Sequence, residues 1–117
     1  MNGAVSMLPF GAVIVLNNKL VAKGRNHVFP TFNSTLHAEM DAIQKAQKEL
    51  LRIDLSDCVM YTSSKPCPMC EGAILWSNLM EVFYGSSSEE MICSSIPDQL
   101  FWEQMTLPEN RKKFEYK

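Results

Sequence analysis

Two apolar runs near the start of the chain predict a β-hairpin. The first occupies residues 11–16, and a second, weaker run occupies residues 19–24. Asn17 and Asn18 stand between them, and asparagine tolerates the positive backbone dihedrals of a two-residue hairpin turn. We therefore expect two neighbouring strands joined directly by these two residues.

The next segment has the pattern of an amphipathic helix. After a loop-like stretch at residues 26–34, apolar residues recur at intervals of three and four, which is typical of one helix face. They are Leu36, Met40, Ile43, Ala46 and Leu50. Ser34 or Thr35 is the expected N-cap, because both have a side-chain oxygen that can accept from the first turn.

The remaining pattern predicts an α/β fold. Residues 58–62 and 80–84 resemble buried strands, a helix is predicted over residues 68–76, and residues 98–105 suit a short helix after a loop at residues 86–95. A strand, helix and strand in succession normally give parallel strands with a right-handed crossover. We expect a mixed sheet flanked by helices.

Length and composition narrow the class of protein. The 117 residues are expected to form one domain, residues 1–117, and 46% of them are apolar, which is enough for a small core. The net charge of −2 argues against a nucleic-acid partner, because domains that hold long nucleic acids usually carry a basic excess. No apolar run reaches the roughly 20 residues of a membrane span, and no signal peptide is evident. We expect a cytoplasmic protein without a membrane partner.

Two short segments carry residues with metal chemistry. Residues 37–39 (His-Ala-Glu) open the first long helix, and residues 66–70 (Pro-Cys-Pro-Met-Cys) open the second. Both helix starts are expected at one edge of the sheet. Imidazole and thiolate are zinc ligands, and a catalytic zinc site combines three protein ligands with a water. The sequence therefore predicts one Zn²⁺ per chain, held by His37, Cys67 and Cys70.

Glu39 is the predicted catalytic residue, because it stays near the metal without having to be a ligand. A zinc-bound water has a pKa near 7, and a neighbouring carboxylate can take its proton and pass it on.

Other interpretations of the cysteines remain open. A Cys-x-x-Cys sequence at a helix start also occurs in thiol-disulfide redox proteins, although that interpretation gives no role to the histidine or the glutamate. A structural zinc site needs a fourth ligand, for which Cys58, Cys93 and His27 are the candidates.

The order His-x-Glu followed by Pro-Cys-x-x-Cys resembles the signature of the cytidine deaminase-like zinc deaminase superfamily. Residues 9–15, 24–26, 61–63 and 72–76 look most like its guanine deaminase branch, whereas Lys65 stands where that family commonly has Glu. The resemblance implies a three-layer α/β/α fold with a central mixed sheet. It also implies a homodimer and zinc-dependent hydrolytic deamination of a free nucleobase, guanine to xanthine and ammonia.

The resemblance further implies contacts with the substrate. Asn26 is expected to orient the base by hydrogen bonds, and Asp98 is expected to accept one from a purine N–H. Phe10 and Trp76 are expected to sandwich the planar ring. The expected contacts beside the metal are Ala38 and Pro66.

Related and unrelated functions remain as alternatives. A tRNA adenosine deaminase shares both zinc segments, and a cytosine or cytidine deaminase would use the same chemistry. Outside this class, the alternatives are a thiol-disulfide redox protein and a non-catalytic zinc module.

Overall fold

The structure is a computed structural model that describes residues 11–86 and 98–117. Phe10 and Cys93 therefore lie outside the described residues. The strands and helices in these ranges are, in chain order, β1 (Ala12–Leu16), β2 (Lys19–Gly24), α1 (Val28–Thr31), α2 (Ala38–Leu50), β3 (Val59–Ser64), α3 (Pro68–Ser77), β4 (Glu81–Ser86) and α4 (Asp98–Thr106), with a 3-10 turn at Glu109–Arg111. Within the two described ranges, no helix is long and apolar enough to cross a membrane. The cytoplasmic location stays a prediction.

β1 and β2 form the predicted hairpin. The strands pair antiparallel, with Leu16 opposite Lys19. Asn17 and Asn18 have φ values of 51° and 64°. Two consecutive positive φ angles define the type I′ turn, whose twist matches that of the flanking strands. The predicted turn is therefore confirmed.

The four described strands form one mixed sheet in the order β2-β1-β3-β4. β1 pairs antiparallel with both of its neighbours, whereas β3 and β4 are parallel and joined through α3. The expected α/β fold with a central mixed sheet is confirmed. β3 and β4 each begin one residue and end two residues later than the sequence predicts.

The core lies between one face of this sheet and the two longer helices. Ile14 of β1 and Met60 of β3 are fully buried directly opposite each other. Ala42 and Ala46 of α2 and Ile74 of α3 belong to the same buried cluster. The later part of the predicted helical stripe, from Ile43 to Leu50, therefore lies in or against this core, and small alanine side chains let α2 lie close to the sheet.

Gly24, the last residue of β2, sets the distance between the sheet and α2. A Cβ atom on Gly24 would lie 2.1 Å from the carbonyl oxygen of Ala38 and 2.5 Å from the backbone nitrogen of Ala42. These are backbone atoms of the helix, so no side-chain rotation can move them away. Because no glycine among the described residues has a positive φ, glycine is needed here for close approach and not for backbone conformation.

The segment predicted as loop between β2 and α2 contains one helical turn, α1. The Asn26 side-chain oxygen accepts a hydrogen bond from the backbone N–H of Val28 (3.0 Å) just where the turn begins. The turn ends at Phe32, which adopts a left-handed conformation with φ of 52°. Four residues are too few to show helical periodicity, and one of them is Pro30, so the prediction of loop throughout is wrong here.

The N-cap of α2 is His37, and the prediction of Ser34 or Thr35 is wrong. The side-chain oxygen of Asn33 accepts from both the backbone N–H and the hydroxyl of Thr35, at 2.9 Å and 2.6 Å. This closes a separate turn before the helix, because asparagine side chains readily bond the backbone two residues on. His37 then has an extended backbone, with ψ of 163°, and the helix begins at the next residue.

We predict that Gly24→Ala destabilises the protein strongly, because its new Cβ atom would overlap backbone atoms of α2. The free energy of unfolding should fall by about 3 kcal/mol or more, at the upper end of overpacking effects. Gly72→Ala is the matched control, since a Cβ atom at this helical position has nothing within 4 Å and should stabilise α3 by about 0.5–1 kcal/mol. Urea denaturation measures both, and equal stability of the two variants would contradict the close approach at Gly24.

Candidate metal centre and active site

The N-termini of α2 and α3 come together at one edge of the sheet. β2 and β3 run in the same direction, because each is antiparallel to β1. The chain leaves both strands at the same edge, and the helices that follow contact each other. His37 is the N-cap of α2 and Cys67 is the N-cap of α3, with Pro68 at the first helical position. The parallel direction of β2 and β3, together with the N-cap positions of His37 and Cys67, thus brings the two predicted ligand segments together.

His37, Cys67 and Cys70 form a group with the spacing of zinc ligands. Their ligand atoms all lie within 4.8 Å of one another. The Nδ1 atom of His37 is 3.5 Å from the sulfur of Cys67 and 3.6 Å from that of Cys70. Tetrahedral zinc, with bonds of about 2.3 Å to sulfur and 2.0 Å to nitrogen, separates a nitrogen and a sulfur ligand by about 3.5 Å. The three residues are therefore positioned to bind one zinc ion through Nδ1 and two thiolates.

The candidates for a fourth protein ligand lie elsewhere or outside the described residues. Cys58 is a free thiol in the core, 2% exposed, where burial raises its pKa. The imidazole of His27 contacts Asp41 instead. The ligand group found in the described part of the chain has three members, which is the number of protein ligands in a catalytic zinc site.

The two cysteines share one proton when no metal is bound. A hydrogen bond from the Cys70 thiol, together with the neighbouring His37, lowers the pKa of Cys67 to about 4. The same hydrogen bond, together with burial, raises the pKa of Cys70. At neutral pH the metal-free site therefore holds one thiolate and one thiol. A bound dication would stabilise both as thiolates, since a coordinating thiol loses its proton.

Glu39 is buried beside these ligands. It is 3% exposed in the first turn of α2, two residues after His37. Its negative charge raises the pKa of Cys70, which places the carboxylate within electrostatic reach of the metal centre. The partial positive charge at the N-terminus of α2 favours a carboxylate here, and a zinc dication would favour it further. The chemistry of this group of residues thus fits zinc.

Asn26 presents a buried hydrogen-bond donor. The side-chain oxygen is occupied by the N–H of Val28, whereas the amide nitrogen Nδ2 is buried and has no hydrogen-bond partner among the residues that the structure describes. A buried donor without a partner costs about 1–3 kcal/mol. Such a group is a candidate for binding an acceptor on a ligand.

The other sequence-predicted contacts have different surroundings. Ala38 is 1% exposed, with its carbonyl against Gly24, and Pro66 is buried immediately before the first cysteine. Trp76 is 87% exposed in the last turn of α3. It follows Cys67 by nine residues, which is about 13 Å along a helix axis, and its contact with the substrate ring stays a prediction. Asp98 begins α4, and α4 contacts α3.

Asp41, a second buried carboxylate in the first turn of α2, was not predicted from the sequence. Its spacing to Lys45, four residues later, was visible in the sequence but is typical of an exposed helix pair. Burial and the contacts with residues before α1 are tertiary features, which that spacing does not reveal.

A basic groove between β2 and α2 was also not predicted from the sequence. It has a volume of about 640 Å³. Among the described residues seven line it, of which Glu49 is acidic and four are basic: Lys23, Arg25, Lys45 and Lys48. These side chains come from two separate elements, so the overall charge of −2 conceals their clustering. The lining does not include the zinc ligands.

A mixed α/β sheet whose edge holds one histidine, two cysteines and a buried glutamate defines a zinc-dependent hydrolase site. Residues 2–86 match the family model described as the cytidine and deoxycytidylate deaminase zinc-binding region. The chain belongs to this deaminase family.

Within this family, the chain is similar to guanine deaminases in both sequence and structure. The guanine deaminase of Bacillus subtilis is 41% identical over 100 residues, which are 86% of this chain and 64% of that protein. An X-ray structure of guanine deaminase from Bacillus subtilis superposes with a TM-score of 0.86 at 36% identity, covering 98% of this chain and 74% of that one.

A more distant curated relative is the tRNA-specific adenosine deaminase of Bacillus subtilis. It is 34% identical over 97 residues, which are 83% of this chain and 60% of that protein. The chain thus spans less than two thirds of the length of either curated relative.

We predict that the purified protein binds one zinc ion per chain and that Cys70→Ala lowers its zinc affinity by at least about 100-fold, beyond the effect of losing an outer-shell partner. Cys58→Ala is the control, because this buried thiol is not in the ligand group. Elemental analysis and competition with a chelating dye measure stoichiometry and affinity. Unchanged affinity in Cys70→Ala would exclude this metal centre.

Proposed function

We propose that this chain catalyses the zinc-dependent hydrolysis of guanine and water to xanthine and ammonia. The observation that carries the proposal is the buried Glu39 carboxylate beside three residues spaced as zinc ligands. A carboxylate in this position can accept and return protons within one site. The 41% identity to a protein named guanine deaminase supports guanine as the base.

Glu39 moves protons between water and substrate in this reaction. Zinc bound by His37, Cys67 and Cys70 would act as a Lewis acid and lower the pKa of a bound water to about 7. Glu39 accepts a proton from the attacking water and delivers it to the ring nitrogen next to the carbon that bears the amine. A C–O bond forms at that carbon. Glu39 then transfers the proton of the new hydroxyl to the amine, the C–N bond breaks, and ammonia leaves.

The base is proposed to bind between the loop at Asn26 and the two helix starts. The buried Nδ2 of Asn26 supports a hydrogen bond to an acceptor on the base, either a carbonyl oxygen or an unprotonated ring nitrogen. Ala38 and Pro66 border the metal ligands in sequence and are buried, which supports backbone contacts there. Phe10 and Asp98 remain proposed contacts on the basis of the family resemblance, stacking on the ring and accepting from a purine N–H.

The basic groove favours a second candidate, a phosphate-bearing substrate such as tRNA. Lys23, Arg25 and Lys48 have no acidic partner within 4.0 Å among residues 11–86 and 98–117, so their charges are available to phosphates. The 34% identity to a tRNA-specific adenosine deaminase adds support. Binding to a polyanion weakens steeply with salt, whereas binding of a neutral base does not.

A homodimer is proposed from the surface at the end of α3. Leu75, Trp76 and Met80 are 74%, 87% and 69% exposed and are close in sequence. Clustered large apolar side chains on a surface commonly mark a contact with another protein. A second copy of this chain is the proposed partner, in keeping with the assembly that the family resemblance implies.

We predict that the zinc-loaded protein releases ammonia from guanine and that Glu39→Gln lowers kcat by about 100- to 10,000-fold, the range for loss of a general acid–base group. Zinc content should be retained. Asp57→Asn, an exposed carboxylate paired with Arg52 and outside the groove lining, is the control and should keep full activity. Ammonia release is measured with guanine, adenine, cytosine, their nucleosides and tRNA. If tRNA is the one substrate of this set that is turned over, with a kcat/KM that falls as salt rises, the second candidate function would replace guanine deamination.

We predict that the wild-type protein sediments as a dimer and that Trp76→Glu shifts it to monomer by placing a charge in the apolar contact. Leu20→Glu is the matched control, since Leu20 is 54% exposed but lies on β2, at the opposite end of the described sheet from β4, the strand that follows Met80. Analytical ultracentrifugation measures the mass of each. A Trp76→Glu dimer as stable as the wild type would exclude this surface as the interface.

A further inference from the structure

Asp41 is a buried carboxylate for which the proposed reaction has no use. The residue is 7% exposed, and it lies in the first turn of α2, two residues after Glu39. Burying an ionised carboxylate is costly unless it is paired and hydrogen-bonded. Its partners therefore indicate what it does.

Three donors converge on one oxygen of Asp41. The backbone N–H of Arg25 donates to Oδ2 at 3.0 Å, the imidazole Nε2 of His27 lies 3.3 Å from it, and the ammonium of Lys45 lies 3.1 Å from it. Lys45 also donates to the carbonyl oxygen of Lys23 at 3.3 Å. The carboxylate thus fastens the segment after β2 to the helix that carries the metal ligand and the proton-transfer group.

The two loop residues that Asp41 holds are the immediate neighbours of Asn26. Arg25 is held through its backbone and His27 through its ring, and the backbone N–H of His27 also donates to the carbonyl oxygen of Leu36 (2.9 Å). Between these two residues, the side-chain oxygen of Asn26 accepts the hydrogen bond from the backbone N–H of Val28. The group of Asn26 left for a ligand is the buried Nδ2 donor, whose direction depends on the anchored backbone.

We propose that Asp41 is a positioning residue, which fixes Arg25 and His27 so that the Nδ2 donor of Asn26 is presented to the substrate base. This proposal rests on the proposed function, because it takes Asn26 as a substrate contact. Asp41 acts on substrate binding through Asn26, whereas zinc binding and proton transfer depend on His37, Cys67, Cys70 and Glu39. Loss of Asp41 therefore weakens binding of the base and leaves the chemical step intact.

Steady-state kinetics of Asp41→Asn with guanine test this assignment. The substitution keeps the shape of the side chain and removes its charge. KM should rise about tenfold, as for loss of one hydrogen bond, while kcat changes less than about twofold and zinc stays at one per chain, the pattern of lost ground-state binding. Asp57→Asn, which removes an exposed carboxylate paired with Arg52 (2.9 Å), is the matched control and should leave both constants unchanged.

A double-mutant cycle separates positioning from general destabilisation. Asn26→Ala should raise KM at least as much as Asp41→Asn, and the double variant should be no worse than Asn26→Ala alone, because Asp41 acts only through Asn26. The proposal would be overturned if the KM increases of the two single variants multiplied in the double variant. A fall in kcat or in zinc content of Asp41→Asn, instead of a rise in KM, would overturn it as well. If Asp41→Asn does not fold, Lys45→Met is used instead, because it removes one of the three donors. It should raise KM by a smaller factor, and it should have no further effect on KM when it is added to Asn26→Ala.

An activity-independent measurement keeps this inference distinct from the proposed function. The side-chain NH₂ signals of Asn26, assigned by their loss in Asn26→Ala, should shift in the ¹H–¹⁵N spectrum of Asp41→Asn and stay in place in Asp57→Asn. If the wild-type protein turns over no guanine but the signals shift in this way, the proposed function fails and the positioning of Asn26 by Asp41 stands. Unmoved signals in Asp41→Asn would overturn the positioning role whatever the substrate.

Discussion

The close approach of Gly24 to the first turn of α2 is the contact on which the rest of the site depends. It is a contact between backbone atoms, with the helix at Ala38 and Ala42 occupying the space of a missing side chain. No rotamer change can lengthen or shorten it, so the end of β2 and the start of α2 keep a fixed separation. Asn26, two residues beyond Gly24, and Glu39, inside that first turn, therefore have a defined relation to each other.

The second half of the site is fixed by strand pairing. β1 pairs with both β2 and β3, so it aligns the ends of two parallel strands that do not touch each other. Each strand end leads to a helix N-terminus, where partial positive charge favours thiolates and carboxylates. Cys67 and Glu39 lie at these positions, and a dication between them would favour the thiolate and the carboxylate. Sheet topology and helix electrostatics thus favour the same place for the metal.

The sequence predicted the features whose signals are local. The I′ turn at Asn17, the later part of the periodic stripe of α2 and the cysteines at the start of α3 each depend on residues within a few positions, and these features agree with the prediction. Glu39 was predicted from its spacing to His37, which has chemical meaning, and the structure buries it in the first turn of α2. Asp41 was not found, because its role depends on contact with Arg25, sixteen residues earlier. The basic groove was missed for the same reason, as its lysines come from both β2 and α2.

The ammonium of Lys45 has an effect beyond the buried carboxylate it pairs with. β2 stands at one end of the described sheet, and an outermost strand offers its backbone as a template on which other chains can aggregate. Lys45 already occupies the carbonyl of Lys23, and the charged side chains of Lys19 and Lys23 are exposed along the same strand. A foreign strand would have to displace that ammonium and bury these charges. The interaction that steadies the loop thus also protects the protein from strand-to-strand aggregation at this edge.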